Sequence, residues 1–139
     1  MEQRDLIKDQ LEIFGKALSK VLGNFLSLKN APNSDLAFEQ TNQQLKTELD
    51  IDVDLILEIS PQQLTSYLLE KKIPPPHLET LIEYFVEMGE HTLKQDTAKG
   101  KSILTKTLEM YKVLDLNTNT YSFERREKEQ KIQHLLQHQ

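Results

Sequence analysis

The sequence predicts an all-α protein of about six or seven helices packed as antiparallel hairpins around a long N-terminal helix. Three observations predict it. Apolar residues recur at spacings of three and four through most of the chain, which is the period of one helix face. Leu, Glu, Gln and Lys dominate while valine is scarce, a balance that favours helix over sheet. All five prolines fall between Pro32 and Pro76, leaving long stretches on either side free of helix breakers. At 139 residues, 37% hydrophobic and 28% charged, the chain reads as a single domain over residues 1–139, large enough to bury a core without disulfide or metal.

A long core helix is expected over residues 4–28. Ile7, Leu11, Phe14, Leu18, Val21, Leu22 and Phe25 share one face, with Leu6, Ile13, Ala17 and Leu28 on one flank and Leu26 on the other. One neighbouring layer cannot cover so wide an arc, so this helix is either central or shares a side with another copy of the chain. Gly15, Ser19 and Gly23 recur every four residues beside the arc. A mid-helix glycine costs roughly 0.5–1 kcal/mol relative to alanine, and a row of small residues lets another helix approach closely. Leu6, Ile13, Gly15, Ala17, Ser19 and Gly23 are therefore the candidate partner or dimer surface.

Short helices follow over residues 34–72. Asn33 or Ser34 can cap the first, which carries Leu36, Phe38, Thr41, Leu45 and Leu49. From Asp50 to Ile59, apolar and mostly acidic residues alternate as in a strand, but nothing else in the chain offers such a strand a partner. A short helix starting at Asp52 or Asp54 is the competing reading. Ser60-Pro61-Gln62-Gln63 has the form of a capping box, opening a helix that buries Leu64, Tyr67 and Leu68 and ends before Pro74-Pro75-Pro76.

Residues 77–114 read as a helical hairpin: Leu78, Leu81, Ile82, Phe85 and Met88 on one helix, a break near Asp96 to Lys99, then Ile103, Leu104, Thr107, Leu108, Tyr111 and Leu114. A terminal helix over 120–137, carrying Phe123, Ile132, Leu135 and Leu136, has an almost wholly charged middle and belongs on the surface.

Residues 78–114 resemble a tetratricopeptide repeat, a helix–turn–helix unit of about 34 residues. Phe85 stands for the large residue of the first helix and Gly89 for the small one four places later. Gly100 and Thr107 stand for the small residues of the second, with Leu104 as the bulky residue between them. Gly89 to Gly100 is one residue shorter than the usual spacing, and Thr107 replaces the common alanine. The resemblance implies a scaffold for protein contacts. Solenoids of this family need about three repeats to form a groove, and no second copy lies upstream, so the family's peptide-binding residues carry over to no position here. The whole chain is also similar to small helical bacterial proteins that join an amphipathic leading helix to a repeat-like end, a likeness that implies no activity.

Chemical motifs are weak. Without cysteine, thiolate metal sites and thiol catalysis are excluded and a reducing, cytoplasmic setting is expected; the charges in MEQRDLIKDQ, with no apolar run after them, argue against a secretory signal. Asp50, Asp52 and Asp54 imitate a calcium loop, but Leu55 and Pro61 occupy the positions that require glycine and glutamate. Glu83, Glu87 and His91 share a helix face, as do His134 and His138, with no further ligand pattern. No phosphate loop, nucleophile elbow or HExxH pair is present, so no catalytic residue, metal or cofactor is expected. A net charge of −5 disfavours nucleic acid, and no apolar run is long enough for a membrane. Acids outnumber Lys46 by seven to one from Asn30 to Ser60, and lysines dominate from His91 to Leu116, an unevenness suited to steering a protein partner. The expected function is a non-enzymatic protein–protein interaction or scaffold module, with homodimerisation through the first helix. The competing reading is a helical-bundle sensor or enzyme with a small-molecule pocket between helices.

Overall fold

Seven α-helices and no strand make up the described residues of the computed structural model, which are 2–28, 34–118 and 122–137, with side chains described over 12–25, 35–118 and 122–137. The helices are α1 (Glu2–Leu28), α2 (Ser34–Leu49), α3 (Val53–Glu58), α4 (Pro61–Lys71), α5 (Pro75–Leu93), α6 (Thr97–Thr118) and α7 (Phe123–Gln137). The all-α class read from periodicity is the class observed. The expectations for the side chains of Leu6, Ile7, Leu11, Leu26 and Leu28, and for Asn33 as a cap, lie outside the described residues. The chain divides into two compact units, Met1–Leu55 and Ile56–Gln139.

In the first unit α1 packs against α2. Leu18, Val21, Leu22 and Phe25 are buried, as are Ala37, Phe38, Leu45 and Leu49. The rings of Phe25 and Phe38 meet at 4.9 Å with a 44° tilt. Thr41, buried among these residues of α2, donates its hydroxyl to the Ala37 carbonyl at 2.8 Å, so the helix itself satisfies it. Leu36 is exposed, contrary to the expected stripe. It sits well over 100° around the helix from Phe38, Thr41 and Leu45, and Ala37 fills the inner edge instead.

Asp50, at φ 55°, ends α2 in the left-handed region usually taken by glycine. The Ile51 N–H then reaches back to the Leu45 carbonyl at 3.0 Å. Asp52 caps α3, its Oδ1 accepting from the Leu55 N–H at 3.1 Å. The alternating stretch is therefore a helix entry: Ile51 is buried ahead of α3, Val53 is buried at its first position, Ile56 is buried one turn on, and Leu55 faces outward.

The second unit opens with the predicted capping box. Ser60 Oγ accepts from the Gln63 N–H at 3.2 Å and Gln63 Oε1 accepts from the Ser60 N–H at 3.0 Å. Leu64 and Leu68 are buried, but Tyr67 is only half-buried, with the Lys71 ammonium 5.2 Å from its ring centre. α5 begins at Pro75, ahead of the expected His77, because the first helical turn needs no N–H donors and tolerates proline. Asp96 Oδ1 accepts from the Lys99 N–H at 3.1 Å and caps α6.

α6 is the centre of this unit. It touches α4, α5 and α7, and buries Ile103, Leu104, Lys106, Thr107, Met110, Tyr111, Val113 and Leu114 on most of its circumference. α5 and α6 form a close hairpin at two glycines. A Cβ on Gly89 would stand 2.6 Å from Leu104 Cδ2, and one on Gly100 would stand 2.5 Å from the Leu93 backbone nitrogen. α7 starts at Phe123, with Ser122 Oγ accepting from the Arg125 N–H at 3.3 Å. Phe123, expected on the apolar side, is exposed; Arg125 and Ile132 are the buried residues of α7.

Candidate functional site

Helical spacing puts Glu79, Glu83, Glu87 and Glu90 along one side of α5, since residues three and four apart are neighbours on a helix surface. The same rule brings Lys128, Lys131 and Ile132 together on α7. A cleft of about 270 Å³ lies where these helices and α6 meet. It is lined by Glu83, Val86, Glu87 and Glu90 of α5, Tyr111 of α6, and Lys128, Lys131 and Ile132 of α7. One wall is acidic, the other basic, and Val86 and Ile132 supply apolar surface.

Lys128 crosses between the walls. Its Nζ donates to Glu83 Oε1 at 2.6 Å and lies 4.0 Å from Glu79 Oε1. The hydrogen bond with Glu83 holds the ammonium above its ordinary pKa, against the opposing effect of partial burial. Tyr111 is 0% exposed, and its hydroxyl has no hydrogen-bond partner. Burial first, then the charges of Glu83, Glu79 and Glu129, push its ionisation well above the usual value, with Arg125 opposing. The phenol therefore stays protonated in a region of negative potential.

Behind Tyr111, Arg125 anchors α7. Its Nη1 lies 3.0 Å from Asp115 Oδ1 and donates to Thr118 Oγ1 at 3.3 Å. Burial, and then Asp115, raise the Glu129 carboxyl, while Arg126, Arg125 and Lys112 oppose. Glu129 Oε1 is a second buried oxygen without a partner. A separate cleft of about 390 Å³ in the first unit is lined by Glu39, Asn42, Gln43, Lys46, Asp52, Val53 and Asp54. It is larger, but no buried unpaired polar atom lines it, and the Lys46–Asp52 pair spans it at 3.9 Å.

The candidate partner surface on α1 is spread around the helix. Ile13 is 67% exposed, Ala17 half-buried, Gly15 buried, and Ser19 and Gly23 exposed; the Leu6 side chain lies outside the described residues. A spacing of four advances 40° beyond a full turn at 3.6 residues per turn, so the small-residue row starts buried at Gly15 and ends in water. Nothing lies within 4 Å of a Cβ built on Gly23. Among the described residues no group of three or more acids and histidines is placed to hold a metal, and Glu83 is engaged by Lys128 rather than by His91. No described helix is long and apolar enough to cross a membrane.

Spacing groups Glu83, Glu87 and His91 on one face of α5 as a solvated stripe and places Tyr111 among the apolar residues of α6; it does not mark Tyr111 as a site residue. The inner-face position of Tyr111 follows correctly from that spacing; the absence of a partner for its hydroxyl depends on α5 and α7 and has no sequence signature. No known family model, curated protein or solved structure matches the chain.

Proposed function

We propose that the chain is a non-enzymatic interaction module that seats a side chain of a partner protein in the cleft between α5, α6 and α7. The observation that carries this reading is the Tyr111 hydroxyl, sealed from solvent without a partner at the lining of a charged cleft. Leaving a buried polar group unpaired costs about 1–3 kcal/mol, and a group entering from outside removes that cost. Walls of opposite charge favour orientation of the incoming group. The hairpin form of α5 and α6 agrees with a scaffold role, and the cysteine-free composition agrees with a cytoplasmic setting.

The test is a fragment screen followed by amide resonances of the labelled protein, using acids, amines and neutral compounds. Saturable shifts clustered at Val86, Tyr111 and Ile132 are expected. If no fragment of any charge perturbs that cluster, the reading fails.

A second reading is favoured by Ile13, a large apolar side chain left in water on α1: the chain forms a homodimer across the flank of Ile13 and Ala17. Sedimentation at micromolar concentration should show a dimer that Ile13→Glu splits without loss of helicity. A strict monomer excludes it.

A further inference from the structure

Resting on the binding reading of the cleft, we propose that its occupant is a primary carboxamide, presented as the end of a glutamine side chain of the partner protein. Tyr111 is buried and its O–H makes no hydrogen bond, so the occupant must bring an acceptor. The charges of the walls are largely engaged already. The Lys128 ammonium donates to Glu83 at 2.6 Å and Glu87 has an interaction of its own, which leaves Glu90 on the α5 wall and Lys131 on the α7 wall, one acid and one base. A charged group is drawn to one of these and repelled by the other, whereas a neutral group with both a donor and an acceptor suits the two together.

Few protein side chains meet that requirement. Ammonium and guanidinium groups have no acceptor, an ionised carboxyl has no donor, and a neutral imidazole has a single acceptor. A hydroxyl, of serine or tyrosine alike, must crowd two acceptances and one donation onto one oxygen. A carboxamide divides them between two atoms: the two lone pairs of its carbonyl oxygen match the Tyr111 O–H and the Lys131 ammonium, and its amino group donates toward Glu90 on the opposite wall. Glutamine adds two methylenes, for which Val86 and Ile132 supply apolar surface. A volume of about 270 Å³ lies below the roughly 300 Å³ at which pockets for drug-sized ligands begin, which suits one side chain rather than a cofactor. Because the hydroxyl is sealed, occupancy requires the walls to part. Lys128 and Glu83, which link them, have side chains 39% and 51% exposed, and an ion pair so open to water holds less strongly than a buried unpaired hydroxyl costs.

The full chain, with its tyrosines carrying carbon-13 at Cζ, is titrated with butanamide, with acetyl-Gly-Gln-Gly methylamide, and with the same peptide bearing methionine, lysine or glutamate in place of glutamine. Amide shifts are read at Val86, Tyr111 and Ile132, together with the Tyr111 Cζ resonance, which moves when the hydroxyl gains a hydrogen bond. The glutamine peptide should saturate and move that resonance, with the other three peptides at least about tenfold weaker, because each leaves a polar group of the cleft unpaired. Tyr111→Phe and Lys131→Met should each weaken the glutamine peptide several-fold with the melting temperature retained. If Tyr111→Phe does not fold, Lys131→Met gives the same readout. Methionine, lysine or glutamate matching glutamine, or binding that leaves the Cζ resonance in place, overturns the carboxamide assignment and leaves the binding cleft standing. Butanamide saturating while the glutamine peptide stays silent overturns the partner's side chain as the source. Silence from every probe and every fragment removes the cleft as a binding site altogether.

Discussion

Lys106 Nζ donates to the main-chain oxygen of Ile59 at 2.6 Å, fastening α6 to the residue that follows α3. The same nitrogen lies 2.6 Å from Glu109 Oε2. Lys106 is buried, so Lys106→Met keeps much of the stem packing but strips the carbonyl and the carboxylate of their cation. The variant should lose about 2 kcal/mol of stability, since a charged hydrogen bond is removed and its partner left unpaired. Urea denaturation should show a lower midpoint at unchanged slope.

Three glycine-to-alanine variants should diverge in sign. Gly23→Ala fills open space on a helix and should gain roughly 0.5–1 kcal/mol from helix propensity. At Gly89 the new methyl meets both Cδ2 and Cγ of Leu104, itself fully buried, so the gain is more than offset and a smaller net loss is expected. At Gly100 it meets the Leu93 backbone, which cannot, and a loss of roughly 1–3 kcal/mol is expected from overpacking. Melting temperatures should rank Gly23→Ala above the parent and Gly100→Ala lowest.

Arg125 is 5% exposed and supplies the buried polar link between α7 and α6. Arg125→Met should release α7 while α5 and α6 keep their pairing. Amide exchange over residues 123–137 should accelerate far more than exchange over 100–114, because α7 otherwise buries little besides Ile132.

Tyr111 makes stability fall at high pH. Its phenol ionises in the unfolded chain near the ordinary value of about 10 but stays protonated in the folded one, so the folded state holds the extra proton. The contribution is complete below pH about 10 and declines above it, by up to about 1.4 kcal/mol per pH unit. Tyr111→Phe should flatten that decline in denaturation curves taken between neutral and alkaline pH. At neutral pH the variant should match or exceed the parent, since it removes an unpaired hydroxyl.

Local chemistry was legible in the residues; tertiary chemistry was not. Ser60 and Gln63 declare a capping box because all its partners lie within four positions, and the inner faces of α5 and α6 follow from spacing alone. The stretch from Ile51 to Ile59 was ambiguous because period-two alternation also fits a buried turn followed by one helical turn, and the Asp52 cap decides between them. The width of the apolar arc on α1 suggested a centre there, yet in the second unit α6 has the most neighbours. Its polar buried residues, Lys106 and Thr107, dilute the stripe that would have revealed it. The cleft depends on α5 and α7 lying across Tyr111, and neither helix records that neighbour in its own residues.

The tight bend between α5 and α6 also sets a rule for kinship. Any descendant or cousin that keeps Leu93 and the turn at Asp96 must keep glycine at position 100, whereas position 23 is free to drift toward alanine or a charged residue. A glycine retained at 100 beside variation at 23 would thus mark chains that share this bend, even where little else of the sequence survives.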